Sequence, residues 1–254
     1  MYIYVTMNGD LERAEALSQW LPAELVTDAG EWEARKDELH LTLDEDGLSL
    51  RRGDIAMQGD FREMLPRLKQ SNLEREMLVK ASKPKTLGEH PTLLDATAGM
   101  GEDSLILAAA GFHVTLFEYD KIIAALLEDT MRRAAQIPEL ADIVARMELH
   151  GEDSIAAMNR MNGEMPMDVV LLDPMFPART KSASIKKKFQ LLQQLESPCS
   201  GEEELLQAAI HAAPKKIIIK RPLKGAFLAG IKPDYSLSGK AIRYDCLVNV
   251  QNRK

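Results

Sequence analysis

The chain has 254 residues, of which 45% are hydrophobic and 28% charged, the balance of an ordinary globular protein long enough for a sizeable α/β domain. No apolar run approaches the ~20 residues of a membrane span, and the amino terminus lacks the features of a signal peptide, so we expect a soluble, cytoplasmic protein. Cys199 and Cys246 lie far apart and the five histidines are scattered, which predicts neither a disulfide framework nor a metal site.

The formal net charge is -7, but the charges are unevenly distributed and two segments are basic. Residues 179–188 and residues 214–224 each carry five lysines or arginines and no acid. Basic segments on an acidic body are typical of a directional anion-binding face, although solvated loops would give the same pattern. The candidate contacts are Arg179, Lys181, Lys186, Lys187, Lys188, Lys220 and Arg221.

The first 70 residues differ in pattern from the rest. Apolar and polar residues alternate on both sides of Asp46 and Gly47, which predicts a β-hairpin with its turn in "DEDG". We interpret residues 1–70 as a small α/β or β-rich lobe. A helix is predicted from Asn72 to Ala81, and a connector rich in Pro, Gly and Ser follows it.

From Thr92 onward, apolar runs alternate with helical ones, beginning with "TLLDA", "EDSLILAAAG" and "HVTLFE". This alternation predicts parallel strands joined by right-handed helical crossovers. The expected fold of residues 71–254 is therefore an α/β, Rossmann-like open sheet, with ligands at the carboxyl ends of its strands.

The turn "DATAGMGEDS" follows the first of these strands. Gly99 and Gly101 allow a tight turn and close approach of a ligand, and Asp95 precedes them at the strand end. Glu118 ends the next strand, where it can accept hydrogen bonds from the two hydroxyls of a ribose. The alternative is a strand-to-helix turn that merely needs glycine.

The residues of this turn favour S-adenosylmethionine over a dinucleotide. A pyrophosphate would favour a third glycine where this chain has Ser104. S-adenosylmethionine has no phosphate but carries an amino group, which Asp95 could hold directly or through water. Glu152 and Asp153 follow the third strand, where the adenine amine would need an acceptor.

The fourth strand ends in "DPMFP", which resembles the [Asn/Asp]-Pro-Pro-[aromatic] loop of methyltransferases that act on exocyclic amino groups of nucleobases. Asp173 and the carbonyl oxygen of Pro174 can accept the two hydrogens of such an amine, and Phe176 can stack on the base. For Phe176 the alternative is an ordinary core residue after a bend.

From "LLDATAGMGEDS" through "VVLLDPMFPARTKSASIKKKFQ" to "IIIKRP", the chain resembles the bacterial ribosomal RNA small subunit methyltransferase J family. The resemblance implies methyl transfer from S-adenosylmethionine to the N2 amine of a guanine in 16S ribosomal RNA, with that RNA or the small ribosomal subunit as partner. It also implies cofactor contacts at Glu102, Asp103, Glu118, Tyr119, Glu152, Asp153 and Asp173.

Two other functions are compatible with the sequence. A non-catalytic RNA-binding module on the same fold would bind RNA but not S-adenosylmethionine. A nicotinamide-dependent oxidoreductase would bind NADH instead.

We expect the simultaneous change of Lys186, Lys187 and Lys188 to Ala to weaken RNA binding and flatten its salt dependence, because fewer neutralised phosphates release fewer counterions. The dissociation constant measured over a series of salt concentrations checks this. The affinity for S-adenosylmethionine serves as the control and should not change. Equal salt slopes for variant and parent would assign the three lysines to a solvated loop.

Overall fold

The computed structural model describes residues 1–83, 90–161, 167–174, 191, 195, 201–248 and 250, which form a five-stranded and a seven-stranded sheet with flanking helices. The strands are β1 (Tyr2–Val5), β2 (Glu24–Val26), β3 (His40–Asp44), β4 (Gly47–Arg52), β5 (Ile55–Met57), β6 (Thr92–Asp95), β7 (His113–Phe117), β8 (Met147–His150), β9 (Val169–Leu172), β10 (Lys216–Pro222), β11 (Tyr235–Ser238) and β12 (Ile242–Val248).

The helices flank the two sheets. They are α1 (Leu11–Trp20), α2 (Ala29–Arg35), α3 (Leu65–Leu68), α4 (Gln70–Leu73), α5 (Met77–Ser82), α6 (Glu102–Ala109), α7 (Lys121–Ala134), α8 (Pro138–Val144), α9 (Ser154–Arg160) and α10 (Glu202–His211), with 3-10 turns at Phe61–Met64 and Leu228–Gly230. No helix in the described part of the chain is both long enough and apolar enough to cross a membrane.

The five-stranded sheet lies in the amino-terminal region, in the order β2-β1-β3-β4-β5. β1 pairs in parallel with β2 and β3, whereas β3, β4 and β5 form an antiparallel meander. The predicted hairpin is confirmed, since Asp44 pairs with Gly47 across the turn and Gly47 has a φ of 113°. The lobe boundary at residue 70 stays a prediction.

The helix expected from Asn72 to Ala81 is interrupted in the structure. Helix α4 ends at Leu73, and α5 begins at Met77. The break lies at Glu76, whose ψ of 125° is not helical and whose carboxylate accepts a hydrogen bond from Nε of Arg67 at 2.9 Å. The predicted single helix is therefore two short helices, α4 and α5, in the structure.

The seven-stranded sheet has the order β11-β12-β10-β9-β6-β7-β8. Strands β6 to β10 pair in parallel, as the alternation of apolar and helical segments predicted, and β12 and β11 add an antiparallel edge. The predicted α/β class is thus confirmed. The chain turns from one half of the sheet to the other between β6 and β9, which opens a crevice at their carboxyl ends.

Both faces of this sheet are covered. Successive residues of a strand point to opposite faces, so Leu93 and Leu94 enter different cores. Leu93 joins a cluster beneath α5, α6 and α8, and Leu94 joins one beneath α9 and α10. A strand that is buried on both faces needs an apolar residue at nearly every position, which explains the unbroken runs "TLL" and "VVLL".

Helix α7 packs against both sheets. Leu127 and Ala134 belong to the core of the seven-stranded sheet, whereas Ala125 and Leu126 belong to the core that contains β1, β3 and β4. The helix begins at an N-cap, Asp120, whose carboxylate accepts the backbone N–H groups of two residues in the first turn. α7 is therefore the element that joins the two halves of the protein.

Asp129 of α7 forms a buried ion cluster at this junction. Its carboxylate accepts hydrogen bonds from Arg13 at 2.6 Å, from Arg133 at 2.7 Å and from Arg132 at 3.0 Å, and from the backbone N–H of Leu48 at 3.0 Å. Burial alone would raise the pKa of Asp129, but these donors outweigh it and hold the pKa below its usual value. The carboxylate, as an anion, thus joins α7 to α1 and β4 of the amino-terminal region.

We expect Asp129→Ala to lower the free energy of unfolding by about 3–5 kcal/mol, because it leaves Arg13, Arg133 and the N–H of Leu48 without their buried partner. The matched control is Arg132→Ala, which removes a cation whose side chain is 53% exposed and should cost less than about 1 kcal/mol. Urea unfolding followed by circular dichroism measures both. Equal losses would show that burial at this junction does not determine the stability.

Candidate active site

Polar side chains meet at the carboxyl edge of the seven-stranded sheet. Asp95 ends β6, Glu118 follows β7 and Asp173 follows β9, while Lys220 lies in the second half of β10. The strands are in register here, with Asp95 paired to Leu116 and Leu171. The acids expected at one edge of the sheet are therefore brought together.

The two glycines of the turn between β6 and α6 have different reasons to be glycine. Both have positive φ, 54° at Gly99 and 76° at Gly101. A Cβ at Gly101 would lie 2.6 Å from Cδ1 of Leu127, so packing also requires glycine there. A Cβ at Gly99 would meet no atom of the described residues within 4 Å, which leaves space beside the backbone for a ligand.

Glu118 anchors this turn. Its Oε2 accepts the N–H of Gly99 at 2.8 Å, and its Oε1 accepts the N–H of Asp120 at 2.9 Å. Burial raises the pKa of Glu118, and these backbone donors partly offset that effect. Because a carboxylate offers about four lone-pair directions, acceptor capacity remains for a hydroxyl of a ligand.

Asp95 stabilises the turn from a buried position by accepting hydrogen bonds. It is 2% exposed and accepts hydrogen bonds from Oγ of Ser104 at 2.6 Å and from the N–H of Thr97 at 3.1 Å. Burial raises its pKa to about 7, with smaller contributions from the charges of Asp103 and Asp173. The serine that stands in place of a third glycine thus has a structural role, which the sequence did not reveal.

Lys220 joins two acids from different elements. Its Nζ lies 2.6 Å from Oδ2 of Asp103 in the first turn of α6 and 2.9 Å from Oδ2 of Asp173 after β9. The backbone N–H of Asp173 donates to Oγ1 of Thr97 at 2.7 Å. Burial raises the pKa of Asp173, whereas Lys220 acts to lower it.

The neighbouring cation, Arg221, is buried and also paired. Its Nη1 lies 3.1 Å from Oε1 of Glu202, and its Nε donates to the carbonyl of Ala226 at 2.9 Å. Lys220 and Arg221 were both candidates for RNA contact, and their ion pairs favour an internal role instead. The other predicted RNA contacts and the predicted stacking residue lie outside the described residues: Phe176, Arg179, Lys181, Lys186, Lys187 and Lys188.

The two acids after β8 both have partners within the chain. Oδ1 of Asp153 caps α9 by accepting the N–H of Ile155 at 2.9 Å, and Glu152 pairs with Arg160 at 2.8 Å. Their place at the end of β8 is the one predicted. Their contact with an adenine amine stays a prediction.

The remaining predicted positions lie close to these acids in sequence. Glu102 begins α6, Tyr119 is 77% exposed directly after Glu118, and Pro174 is buried directly after Asp173. Among the described residues, no group of three or more His, Cys, Asp or Glu side chains is arranged to hold a metal ion.

Trp20 is a residue at this edge that the sequence did not indicate. It ends α1 in the amino-terminal region, yet a Cβ at Gly151, directly after β8, would lie 2.9 Å from its Cζ2. The ammonium of Lys121 lies 5.8 Å from the centre of its ring. The amino-terminal region therefore reaches the end of the strand that carries Glu152 and Asp153.

Residues 25–249 match a family described as "Putative SAM-dependent methyltransferase". The chain is also similar, at 30% identity and a TM-score of 0.77, to the crystal structure of a SAM-dependent methyltransferase from Neisseria gonorrhoeae, over 98% of this chain and 96% of that one. Sheet, turn and family match together define the class, that of methyltransferases with S-adenosylmethionine as cofactor.

Two relatives carry the same, narrower name, ribosomal RNA small subunit methyltransferase J. The protein from Acinetobacter baumannii strain AYE is 40% identical over 220 residues, 82% of this chain and 77% of the relative. That from Pseudomonas aeruginosa strain UCBPP-PA14 is 48% identical over 158 residues, so the chain spans 60% of its length. The chain belongs to the ribosomal RNA small subunit methyltransferase J family, which confirms the resemblance described above.

The residues at the carboxyl edge fit S-adenosylmethionine. Open space lies beside Gly99, and Glu118, whose carboxylate retains acceptor capacity for a ribose, lies next to it. Asp103 and Asp173 supply negative charge for a ligand that carries a sulfonium and an amino group. These acids would hold the cofactor by charge and by hydrogen bonds to its hydroxyls.

We expect Glu118→Ala to weaken S-adenosylmethionine binding by about ten- to a hundredfold, the effect of losing ~1.5–3 kcal/mol of charge-assisted hydrogen bonding. Titration calorimetry measures the dissociation constant. Glu148→Ala is the matched control, since it removes an exposed acid from the neighbouring strand β8 and should leave the constant unchanged. An unchanged constant for Glu118→Ala would place the ribose elsewhere.

Proposed function

We propose that the chain transfers a methyl group from S-adenosylmethionine to the N2 amine of a guanine in 16S ribosomal RNA. The observation that carries the proposal is the position of Asp173 and Pro174, at the end of β9 and on the same edge as the turn of Gly99. The name of the relatives, ribosomal RNA small subunit methyltransferase J, supports the choice of RNA.

The target amine is a poor nucleophile because its lone pair is delocalised into the aromatic ring. The carboxylate of Asp173 and the carbonyl oxygen of Pro174 would each accept one of its hydrogens, which draws the nitrogen toward tetrahedral geometry and localises the lone pair. Attack of the nitrogen on the methyl carbon would form the new N–C bond as the C–S bond breaks, with S-adenosylhomocysteine as the leaving group. No strong base is needed before attack, because the proton becomes acidic only as the new bond forms; it would then pass to solvent, directly or through Asp173.

The acceptors are positioned before substrate arrives. The N–H of Asp173 donates to Thr97, its carboxylate is held by Lys220, and Pro174 restricts the backbone that follows. Such preorganisation avoids the cost of ordering these groups during the reaction. S-adenosylmethionine supplies the electrophilic methyl group when bound.

The RNA side of the proposed reaction rests on residues that follow Pro174 in the sequence. Phe176 would stack on a guanine that has left its helix, and Arg179, Lys181 and Lys186 to Lys188 would contact the phosphates around it. Membership in a SAM-dependent family favours S-adenosylmethionine over a nicotinamide cofactor. Release of S-adenosylhomocysteine would distinguish an enzyme from a non-catalytic RNA-binding module.

We expect Asp173→Ala to lower the single-turnover rate of methyl transfer by at least about a hundredfold, because its hydrogen bond strengthens as the nitrogen becomes tetrahedral. RNA affinity should change little. Asp173→Asn is the matched variant and should retain part of the rate, since an amide oxygen still accepts. The measurement is transfer of labelled methyl to small-subunit RNA or particles, with binding determined separately. A near-normal rate for Asp173→Ala would contradict the mechanism.

A further inference from the structure

The most unusual feature of this edge is a lysine that contacts two acids from different elements. We propose that Lys220 is a positioning residue for methyl transfer: its ammonium joins Asp173 to Asp103 and holds Asp173 as an oriented carboxylate. The inference rests on the proposed function, in which Asp173 accepts a hydrogen of the target amine. It gives Lys220 a role distinct from the phosphate contact that its basic segment suggested.

The geometry of Lys220 suits a bridge better than a phosphate contact. Its side chain is 24% exposed, and its Nζ lies within 3 Å of one oxygen of each acid. Nζ has three hydrogens, so two of them can be directed to the carboxylates. A lysine that contacts phosphate extends into solvent, as Lys224 does four residues later, where the chain is exposed.

Asp173 depends on this charge because its other surroundings favour the neutral acid. Asp173 is half-buried, with a side chain that is 35% exposed, and its partial burial disfavours a carboxylate. The charged or titratable groups that influence this cluster from the neighbouring elements are Asp95 on β6, Asp103 on α6, Arg221 and Lys220 on β10, and Tyr244 on β12. Two of the five are acids, and Arg221 pairs with Glu202; among the described residues, Lys220 is the cation that lies within ion-pair distance of Asp173.

Protonation of Asp173 would remove its function. A protonated carboxyl group donates through one oxygen and has less capacity to accept, so it would no longer draw electron density onto the target nitrogen. Lys220 therefore extends the pH range in which the acceptor is ionised. Its second contact ties Asp173 to α6, the helix that begins directly after the turn of Gly99 and Gly101.

The test is the pH dependence of single-turnover methyl transfer in Lys220→Met, Lys220→Arg and Lys224→Met, between about pH 5.5 and 9. Without the ammonium the pKa of Asp173 rises, so the rate of Lys220→Met should begin to fall at a pH about one unit or more above that of the parent. Relative to the parent, we expect a loss that grows as the pH falls and that approaches, below both pKa values, about tenfold for each unit by which the pKa of Asp173 has risen.

The two other variants separate charge from structure. Lys220→Arg keeps the positive charge. Its methyl-transfer rate should begin to fall at the same low pH as that of the parent (the acid limb of the pH–rate profile), even where its absolute rate is lower. Lys224→Met removes one charge from the same basic segment and should also keep that limb. Urea unfolding of all three variants, measured at both ends of the pH range, confirms that the folded protein is compared.

Two results would overturn the inference. One is a loss in Lys220→Met that is equal at every pH, which would indicate a purely structural role. The other is an unchanged acid limb with a flatter salt dependence of RNA binding, which would return Lys220 to phosphate contact. If the parent itself transfers no methyl, the proposed function fails, and NMR titration of the carbon-13-labelled Asp173 carboxyl in parent and Lys220→Met still decides whether Lys220 lowers its pKa.

Discussion

The site depends on the crowding of negative charge at one edge of a parallel sheet. Parallel pairing places the carboxyl ends of β6, β7 and β9 together, and with them Asp95, Glu118 and Asp173. Carboxylates this close to one another and to the core tend to lose their charge. The protein meets this constraint differently at each one, with a serine hydroxyl at Asp95, backbone N–H groups at Glu118 and an ammonium at Asp173.

These partners suit the three acids to different tasks. Asp95, with a pKa raised to about 7 and its bonds directed to Ser104 and Thr97, stabilises the turn rather than facing a ligand openly. Glu118 fixes the backbone of Gly99 and keeps acceptor capacity. Asp173 contacts the ammonium of Lys220, whose positive charge would keep its carboxylate ionised as a hydrogen-bond acceptor in the proposed reaction. The hydrogen-bond and ion-pair partners of the three acids thus suit them to turn stability, cofactor binding and contact with the target amine in the proposed reaction.

The pattern of apolar and polar residues in the sequence was sufficient to predict the sheet and the hairpin, but not to predict where a helix is interrupted. Apolar runs alternating with helices predicted the parallel sheet, and the hairpin at Gly47 followed from alternation around a turn sequence, since both patterns record which faces are buried. The break at Glu76 was missed because no Pro or Gly marks it in the sequence. Likewise, the basic composition of residues 214–224 suggested a surface, whereas Lys216 and Arg221 are buried in or beside a strand.

The sequence by itself determined the kind of fold, the positions of the strand ends, the glycine turn and the place of Asp173 and Pro174 directly after a strand, because each depends on residues close together in the chain. Tertiary structure alone decided which cation faces which acid. Lys220 and Asp103 lie in different elements, as do Asp129 and Arg13, and a charge has no preferred partner until the strands and helices are packed. The same holds for Trp20, which reaches the end of β8 only because α1 and α7 are brought together across the junction of the two sheets.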